Sequence, residues 1–157
     1  MENPPVVARL GVRYGDLDPY GHVNNAVYLE FFEEVRLAYW RALADLAGAE
    51  ETEAGDIRGA RYVIAETTIR FKSLVFLSHP LYGAARISTV GNRSYAMDFE
   101  LRTGESFETG TLAAESSAAH VFFDPDTGEV QPRPDWFLPA VAALEGRPEA
   151  AFRPGDR

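Results

Sequence analysis

Cysteine is absent from this 157-residue chain, which removes disulfides, thiolate nucleophiles and Cys-built zinc sites together. Histidine is scarce: His22, His79 and His120 are the whole supply. They lie far apart with no H-E-x-x-H or equivalent spacing, so a zinc site has little support. Positive charge is the minority sign, 15 Lys and Arg against 24 Asp and Glu, for a formal net charge of -9. That field repels nucleic acid, and no basic stripe interleaved with aromatics offsets it; a polyanionic ligand needs a local basic patch. No run approaches the about 18 apolar residues of a membrane span. Met1-Glu2-Asn3-Pro4-Pro5 is not a basic patch leading into an apolar run. A cytoplasmic protein with neither a membrane nor a nucleic-acid partner is expected. G-x-S-x-G, G-x-x-x-x-G-K-[ST] and strand-borne G-x-G-x-x-G are missing too, which leaves no standard serine-hydrolase, phosphate-loop or dinucleotide signature.

What is present supports one packed domain. The length suits a single core, and 46% hydrophobic residues with 12% aromatics suffice to bury one. Val6, Ala8, Leu10, Val12 and Tyr14 alternate with Val7, Arg9, Gly11 and Arg13, a period of two that predicts a half-buried strand. From about Asn25 to Leu46 the period becomes helical: Tyr28, Phe31, Phe32, Val35, Tyr39, Leu43 and Leu46 form a stripe that Leu29, Leu37 and Trp40 widen. This helix is expected to be buried on most sides, with Glu30, Glu33 and Glu34 near its start and a Glu33–Arg36 pair. Residues 47 to 59 are a polar, Gly-bearing connection. Four strand-like runs follow, at about 60–72, 81–91, 93–102 and 110–123, with a turn at Asp124-Pro125-Asp126-Thr127-Gly128. Their order predicts an α+β domain: a strand, a long helix, then four strands in a meander, so that one antiparallel sheet covers one helix. The domain is placed at 1–132. A Pro-rich tail at 133–157 carries an apolar patch from Trp136 to Leu144 that reads as a short docked helix, followed by a flexible end.

The stretch DLDPYGHVNN, residues 16 to 25, holds the densest chemistry. Asp16, Asp18 and Gly21 match positions 1, 3 and 6 of a calcium loop, but Tyr20 and Val27 occupy positions 5 and 12, where ligands belong, so calcium is rejected. Pro19 drives Asp18 into extended backbone, Gly21 permits a sharp turn, and Asn24 or Asn25 can cap the helix. The first N–H groups of that helix lack intrahelical acceptors and carry the positive end of the dipole. A carboxylate brought near a carbonyl held by such donors has both a nucleophile or base and an electrophile stabiliser. Local chemistry equally allows Asp16 and Asp18 as turn residues, His22 as a core histidine and the asparagines as caps.

The longer stretch VRYGDLDPYGHVNNAVYLEFFEEVR, residues 12 to 36, resembles the signature of the 4-hydroxybenzoyl-CoA thioesterase family of hot-dog proteins. ETTIRFKSLVFLSHPL and GNRSYAMDFEL fall where that family has later strands, so the likeness covers about residues 6 to 132. The resemblance implies a hot-dog fold, one sheet of about five strands wrapped around a long central helix, and an acyl-CoA thioesterase. It implies Asp18 as the catalytic carboxylate and the Asn25 N–H as the donor that polarises the thioester carbonyl. His22 matches a His of the related plant acyl-ACP thioesterases, but Tyr20 stands where those enzymes have Asn, which points to an orienting role for His22. Asp16 then fixes the turn. For the substrate, Arg93 and Ser94 loosely match the family's CoA-phosphate segment, Lys72 and Ser73 lie on a neighbouring strand, and Asn24 and Tyr28 sit at the helix start. LSHPL, at 77 to 81, departs from a Gly-Asp common in the family. No metal or redox cofactor is implied. Family members close their open sheet edge by pairing, so a homodimer or homotetramer with an acyl-CoA substrate is expected. An acyl-ACP thioesterase and a non-catalytic acyl-CoA-binding protein remain the alternatives.

Overall fold

A computed structural model of the protein describes residues 1–49, 57 and 60–153. In chain order the elements are β1 (Val6–Leu10), α1 (Val27–Ala47), β2 (Tyr62–Phe71), β3 (Leu81–Val90), β4 (Ser94–Thr103), β5 (Thr111–Asp124), β6 (Glu129–Val130) and α2 (Phe137–Glu145). Short 3-10 turns lie at Tyr14–Asp16 and Glu149–Phe152. Beyond Ala49 the polar connection expected over 47–59 lies, Ile57 apart, outside the described residues, as does the expected flexible end at 154–157. Among the described residues no helix is long and apolar enough to cross a membrane.

The sheet order is β1-β3-β4-β5-β2, with β6 paired to β5. β3, β4 and β5 follow the expected meander, but β2 does not: it lies beside β5 rather than β3. The N–H groups of Lys72 and Ser73 both donate to the Ala113 carbonyl, at 2.8 and 3.2 Å, and that of Phe123 donates to the Arg61 carbonyl at 3.0 Å. Alternation identifies a strand and its faces, whereas its partner is set by packing distant in sequence. β1 pairs antiparallel with β3, Val6 opposite Ala85 and Leu10 opposite Leu81. It also ends earlier than its alternation suggests, because the Asp16 N–H bonds the Arg13 carbonyl at 3.0 Å and winds the chain into a turn.

α1 is more one-sided than expected. Phe31, Phe32, Val35, Tyr39, Trp40 and Leu43 are buried, but Leu29, Leu37 and Leu46 are 52%, 42% and 53% exposed. Leu29 and Leu37 fall outside the stripe that the helix turns toward its sheet, whereas Leu46 is in register with that stripe but lies in the last turn of α1. The expected Glu33–Arg36 pair is present. Gly48, at φ +61°, stops the helix, and the Ala49 N–H bonds back to the Ala44 carbonyl at 3.0 Å, the left-handed cap that glycine favours.

The chain forms two compact units. The first comprises Met1–Tyr39, Thr68–Arg86 and Phe99–Ser116. In it Tyr28 meets Phe71 edge-on at 5.0 Å and Phe32 packs on Phe99 at 5.5 Å. Gly83 of β3 sets how closely helix and sheet approach: a Cβ there would lie 2.3 Å from Cγ2 of Val35 and about 3 Å from Leu101 and Leu10. Val35 is fully buried and β-branched, so it has little room to turn aside. Gly83→Ala recovers about 0.5–1 kcal/mol of backbone entropy, but overpacking costs about 1–3 kcal/mol. Its melting temperature is expected to fall by a few degrees in a thermal unfolding scan; an unchanged value would show that α1 can move off the sheet.

The second unit comprises Trp40–Thr67, Ile87–Asp98 and Ser117–Arg157. Among its described residues the centre is aromatic. Trp40 stacks on Tyr62 at 5.2 Å and donates its indole N–H to the Tyr95 hydroxyl at 3.2 Å. Buried His120 stacks flat on Tyr95 at 4.5 Å, so this histidine belongs to the core. The apolar patch of the tail is α2: Phe137 is fully buried against Tyr95 and Phe122, and Glu145 accepts the Ile87 N–H at 2.8 Å.

Candidate active site

The loop between β1 and α1 is built as a hairpin. The Asp18 carbonyl accepts the Gly21 N–H at 3.0 Å, and the Asp18 N–H donates to the His22 carbonyl at 2.9 Å. Pro19 fills the second turn position, whose φ its ring already satisfies, and Gly21 takes the left-handed conformation at φ +83°. Leu17 and Val23 bridge across the base. The loop is then pinned sideways, because the Val23 N–H donates to the Val75 carbonyl at 2.8 Å and His22 bridges Phe76.

This turn aims the Asp18 side chain. One carboxylate oxygen accepts the Tyr20 N–H at 2.9 Å, and the other lies 3.3 Å from Nδ1 of His22. The two side chains are only 16% and 23% exposed. Tyr20, 86% exposed, lays its ring parallel to the His22 imidazole with centroids 6.2 Å apart. LSHPL forms the neighbouring turn, where His79 packs edge-on against Phe76 at 5.3 Å and accepts its N–H at 3.4 Å.

Asn24, rather than Asn25, is the cap. Its Oδ1 accepts the Ala26 N–H and its carbonyl accepts the Val27 N–H, each at 2.9 Å. α1 begins at Val27, so Asn25 stands in the turn just before the helix. Its N–H has no acceptor among the described residues.

Asp16 is a structural carboxylate, 2% exposed. It accepts the Arg13 N–H at 2.7 Å and the guanidinium at 2.7 Å through Nη2 and 3.0 Å through Nε. Burial alone would raise its pKa, but the hydrogen bonds and charge of Arg13 outweigh burial and hold it below the ordinary carboxylate range. The same guanidinium reaches Glu30 in the first turn of α1, at 2.8 Å. Sequence reasoning left Arg13 out; its only local signal was the Arg-x-x-Asp spacing of R-Y-G-D.

The expected substrate residues are dispersed. Tyr28 is buried against Phe31 and Phe71, and burial pushes its hydroxyl pKa up. Its ring is therefore a core element. Lys72, just past β2, is 3.0 Å from Glu115, and the Ser73 hydroxyl donates to the Leu112 carbonyl at 2.9 Å. Asp18, His22, Asn24, Asn25, Tyr28, Lys72 and Ser73 belong to the first unit, Arg93 and Ser94 to the second. Arg93 sits in the exposed β3–β4 turn and Ser94, also exposed, opens β4, with the Gly91 N–H donating to the Ser94 carbonyl at 2.7 Å. Arg93 has no ion-pair partner among the described residues. Among the described residues no group of three or more His, Asp or Glu side chains is placed to hold a metal ion.

Known proteins share this fold. The chain is similar to a thioesterase of Thermus thermophilus, solved in complex with coenzyme A and zinc. The two are 29% identical, the match covers 94% of this chain and 99% of that one, and the TM-score is 0.77. It resembles in fold Slr0204, a 1,4-dihydroxy-2-naphthoyl-CoA thioesterase from Synechocystis, at 18% identity and TM-score 0.70 over 90% of this chain and 98% of that one. An uncharacterized protein of Bacillus subtilis (strain 168), YsmA, is 26% identical over 106 residues, 66% of this chain and 67% of its own length. The family model of the thioesterase-like superfamily matches residues 12–141. That span takes in the Asp18 loop, α1 and the five strands from β2 to β6; the protein is a hot-dog-fold member of the thioesterase-like superfamily.

Proposed function

We propose that the protein hydrolyses an acyl-CoA thioester to the free acid and coenzyme A. The observation that carries this reading is that one short loop holds both a sheltered, turn-locked Asp18 carboxylate and a helix entry whose Asn25 N–H is left without an acceptor among the described residues. Attack on the thioester carbon, by Asp18 or by a water it deprotonates, drives negative charge on to the carbonyl oxygen. The Asn25 N–H and the positive end of α1 stabilise that charge. Collapse breaks the C–S bond and expels the thiolate of coenzyme A. On the water route the acid forms at once, and the proton taken by Asp18 passes to the thiolate or to solvent. Attack by Asp18 instead leaves a mixed anhydride that a second step, hydrolysis by water, cleaves to the free acid and the restored carboxylate. His22, at 3.3 Å from Asp18, orients the carboxylate, and Asn24 shapes the oxyanion site by capping the helix.

Superfamily membership and the coenzyme A held by the Thermus relative support the substrate class. β2 ends the sheet with Val63, Ile64 and Phe71 exposed, an edge that a second subunit would cover, so a homodimer or homotetramer fits the reading. The test is a panel of short-chain, long-chain and aromatic acyl-CoAs, with release of free coenzyme A followed. Tight binding without release would identify an acyl-CoA-binding protein instead. Preference for carrier-protein thioesters would identify an acyl-ACP thioesterase, although an acidic carrier would meet a chain of charge -9 against the usual steering.

Arg93, with Ser94 beside it, is assigned to the CoA phosphates. Arg93→Ala is expected to raise KM for CoA thioesters several-fold and spare kcat, since a contact remote from the carbonyl acts equally on ground and transition states. On a truncated pantetheine thioester the variant and the wild type should match. Equal impairment on both substrates would remove Arg93 from the CoA site.

A further inference from the structure

Asp18 and Asn25 hang from two ends of one small network. The Asp16 carbonyl, two residues before Asp18, accepts the Asn24 N–H at 2.8 Å, and Asn24 is both the cap of α1 and the neighbour of Asn25. The Asp16 carboxylate is held by Arg13 through three donors, and Nη2 of Arg13 also reaches Glu30 across the loop. One guanidinium thus ties the start of the loop to the first turn of the helix. Stability alone does not account for the Arg13–Glu30 arm, whose side chains are 67% and 61% exposed, since such exposed pairs add little. A planar fork does, however, set distance and angle together, which a single ammonium cannot.

We propose that Arg13 is a positioning residue, which through Asp16 and Glu30 fixes the spacing between the Asp18 carboxylate and the Asn25 N–H; this rests on the hydrolytic reading above. Arg13 does not touch the reacting atoms. Its loss lets the two halves of the site drift while the hairpin at Asp18 persists, because the Asp18–Gly21, Asp18–His22 and Val23–Val75 bonds do not involve it. A misplacement of about 1 Å at a reacting centre is enough to lower a rate about 10²-fold.

The test uses the full chain and acetyl-, octanoyl- and benzoyl-CoA. Arg13→Ala is expected to lower kcat about 10- to 100-fold with KM within about twofold of wild type. Arg13→Lys should fall between the two, and millimolar guanidinium should restore part of the activity of the Ala variant. Glu30→Gln, which removes the exposed arm of the network, should cost a few-fold on its own and nothing further when added to Arg13→Ala, since both act through one guanidinium. Amide exchange supplies a second readout: the Asn24 N–H should exchange at least tenfold faster in Arg13→Ala while that of Val23 keeps its rate.

An active wild type with an unimpaired Arg13→Ala overturns the proposal alone. A raised KM with unchanged kcat makes Arg13 a substrate contact and overturns it as well, as does equal acceleration at Val23, which marks general loss of the loop. A wild type inert toward all three thioesters overturns the hydrolytic reading itself, and with it the role given to Arg13.

Discussion

Asp18→Asn is expected to reduce kcat by about 10³- to 10⁴-fold in a protein that still folds and still binds acyl-CoA. The substitution is nearly isosteric, and its amide oxygen can go on accepting the Tyr20 N–H that Asp18 accepts at 2.9 Å. Pro19 and Gly21, which shape the turn, are untouched. What disappears is negative charge: a neutral amide neither attacks a thioester nor deprotonates water. The measurement is release of coenzyme A from any thioester that the wild type accepts, with circular dichroism and a melting curve to establish folding. Hydrolysis by the purified variant at the wild-type rate would refute the mechanism.

Asn25→Pro should lower kcat by about 10²- to 10³-fold, the usual consequence of losing one oxyanion donor. Proline is the suitable probe because it deletes an N–H that side-chain substitution cannot reach, and it is accepted at a helix entry, where that N–H makes no intrahelical bond. In this protein the N–H of Asn25 has no acceptor among the described residues, so its removal breaks no hydrogen bond among them. Proline also pushes the preceding residue toward extended backbone, the conformation a capping residue such as Asn24 ordinarily has. The control is Asn25→Ala. The cap bonds come from Asn24, so this variant should keep nearly all of its stability and most of its activity. Full activity in a folded Pro variant would move the oxyanion site elsewhere. An inactive Ala variant would instead implicate the Asn25 side chain.

The two experiments probe opposite partners of one reaction and complement the Arg13 variants. Asp18→Asn removes the attacking group, Asn25→Pro removes the stabilising donor, and Arg13→Ala leaves both in place but frees their separation. Graded losses of kcat in that order, with KM little changed throughout, would distinguish a preassembled site from one organised by the substrate.

What the sequence determined by itself was whatever rests on residues a few positions apart. The helical period from Tyr28 to Leu43, the alternation of β4 and the Pro19–Gly21 turn are interactions of short range, and α1, β4 and the hairpin formed where those patterns lay. The motif around Asp18 was legible for the same reason, as a run of residues whose turn and cap chemistry is local. Tertiary structure decided the rest. β2 joined β5 instead of β3, because a strand's pattern states which face is apolar and not which edge it meets. Tyr28 went to the core and Lys72 to Glu115, outcomes set by neighbours more than forty positions away along the chain. Leu29 and Leu37 stayed exposed, since hydrophobicity alone does not place a side chain on the stripe that meets the sheet. Asn24 won the cap over Asn25 because the bond from its N–H to the Asp16 carbonyl fixed where the chain turned into the helix. Arg13 could be joined to Glu30 only once the loop had folded back on α1, a contact between charges that no periodicity encodes.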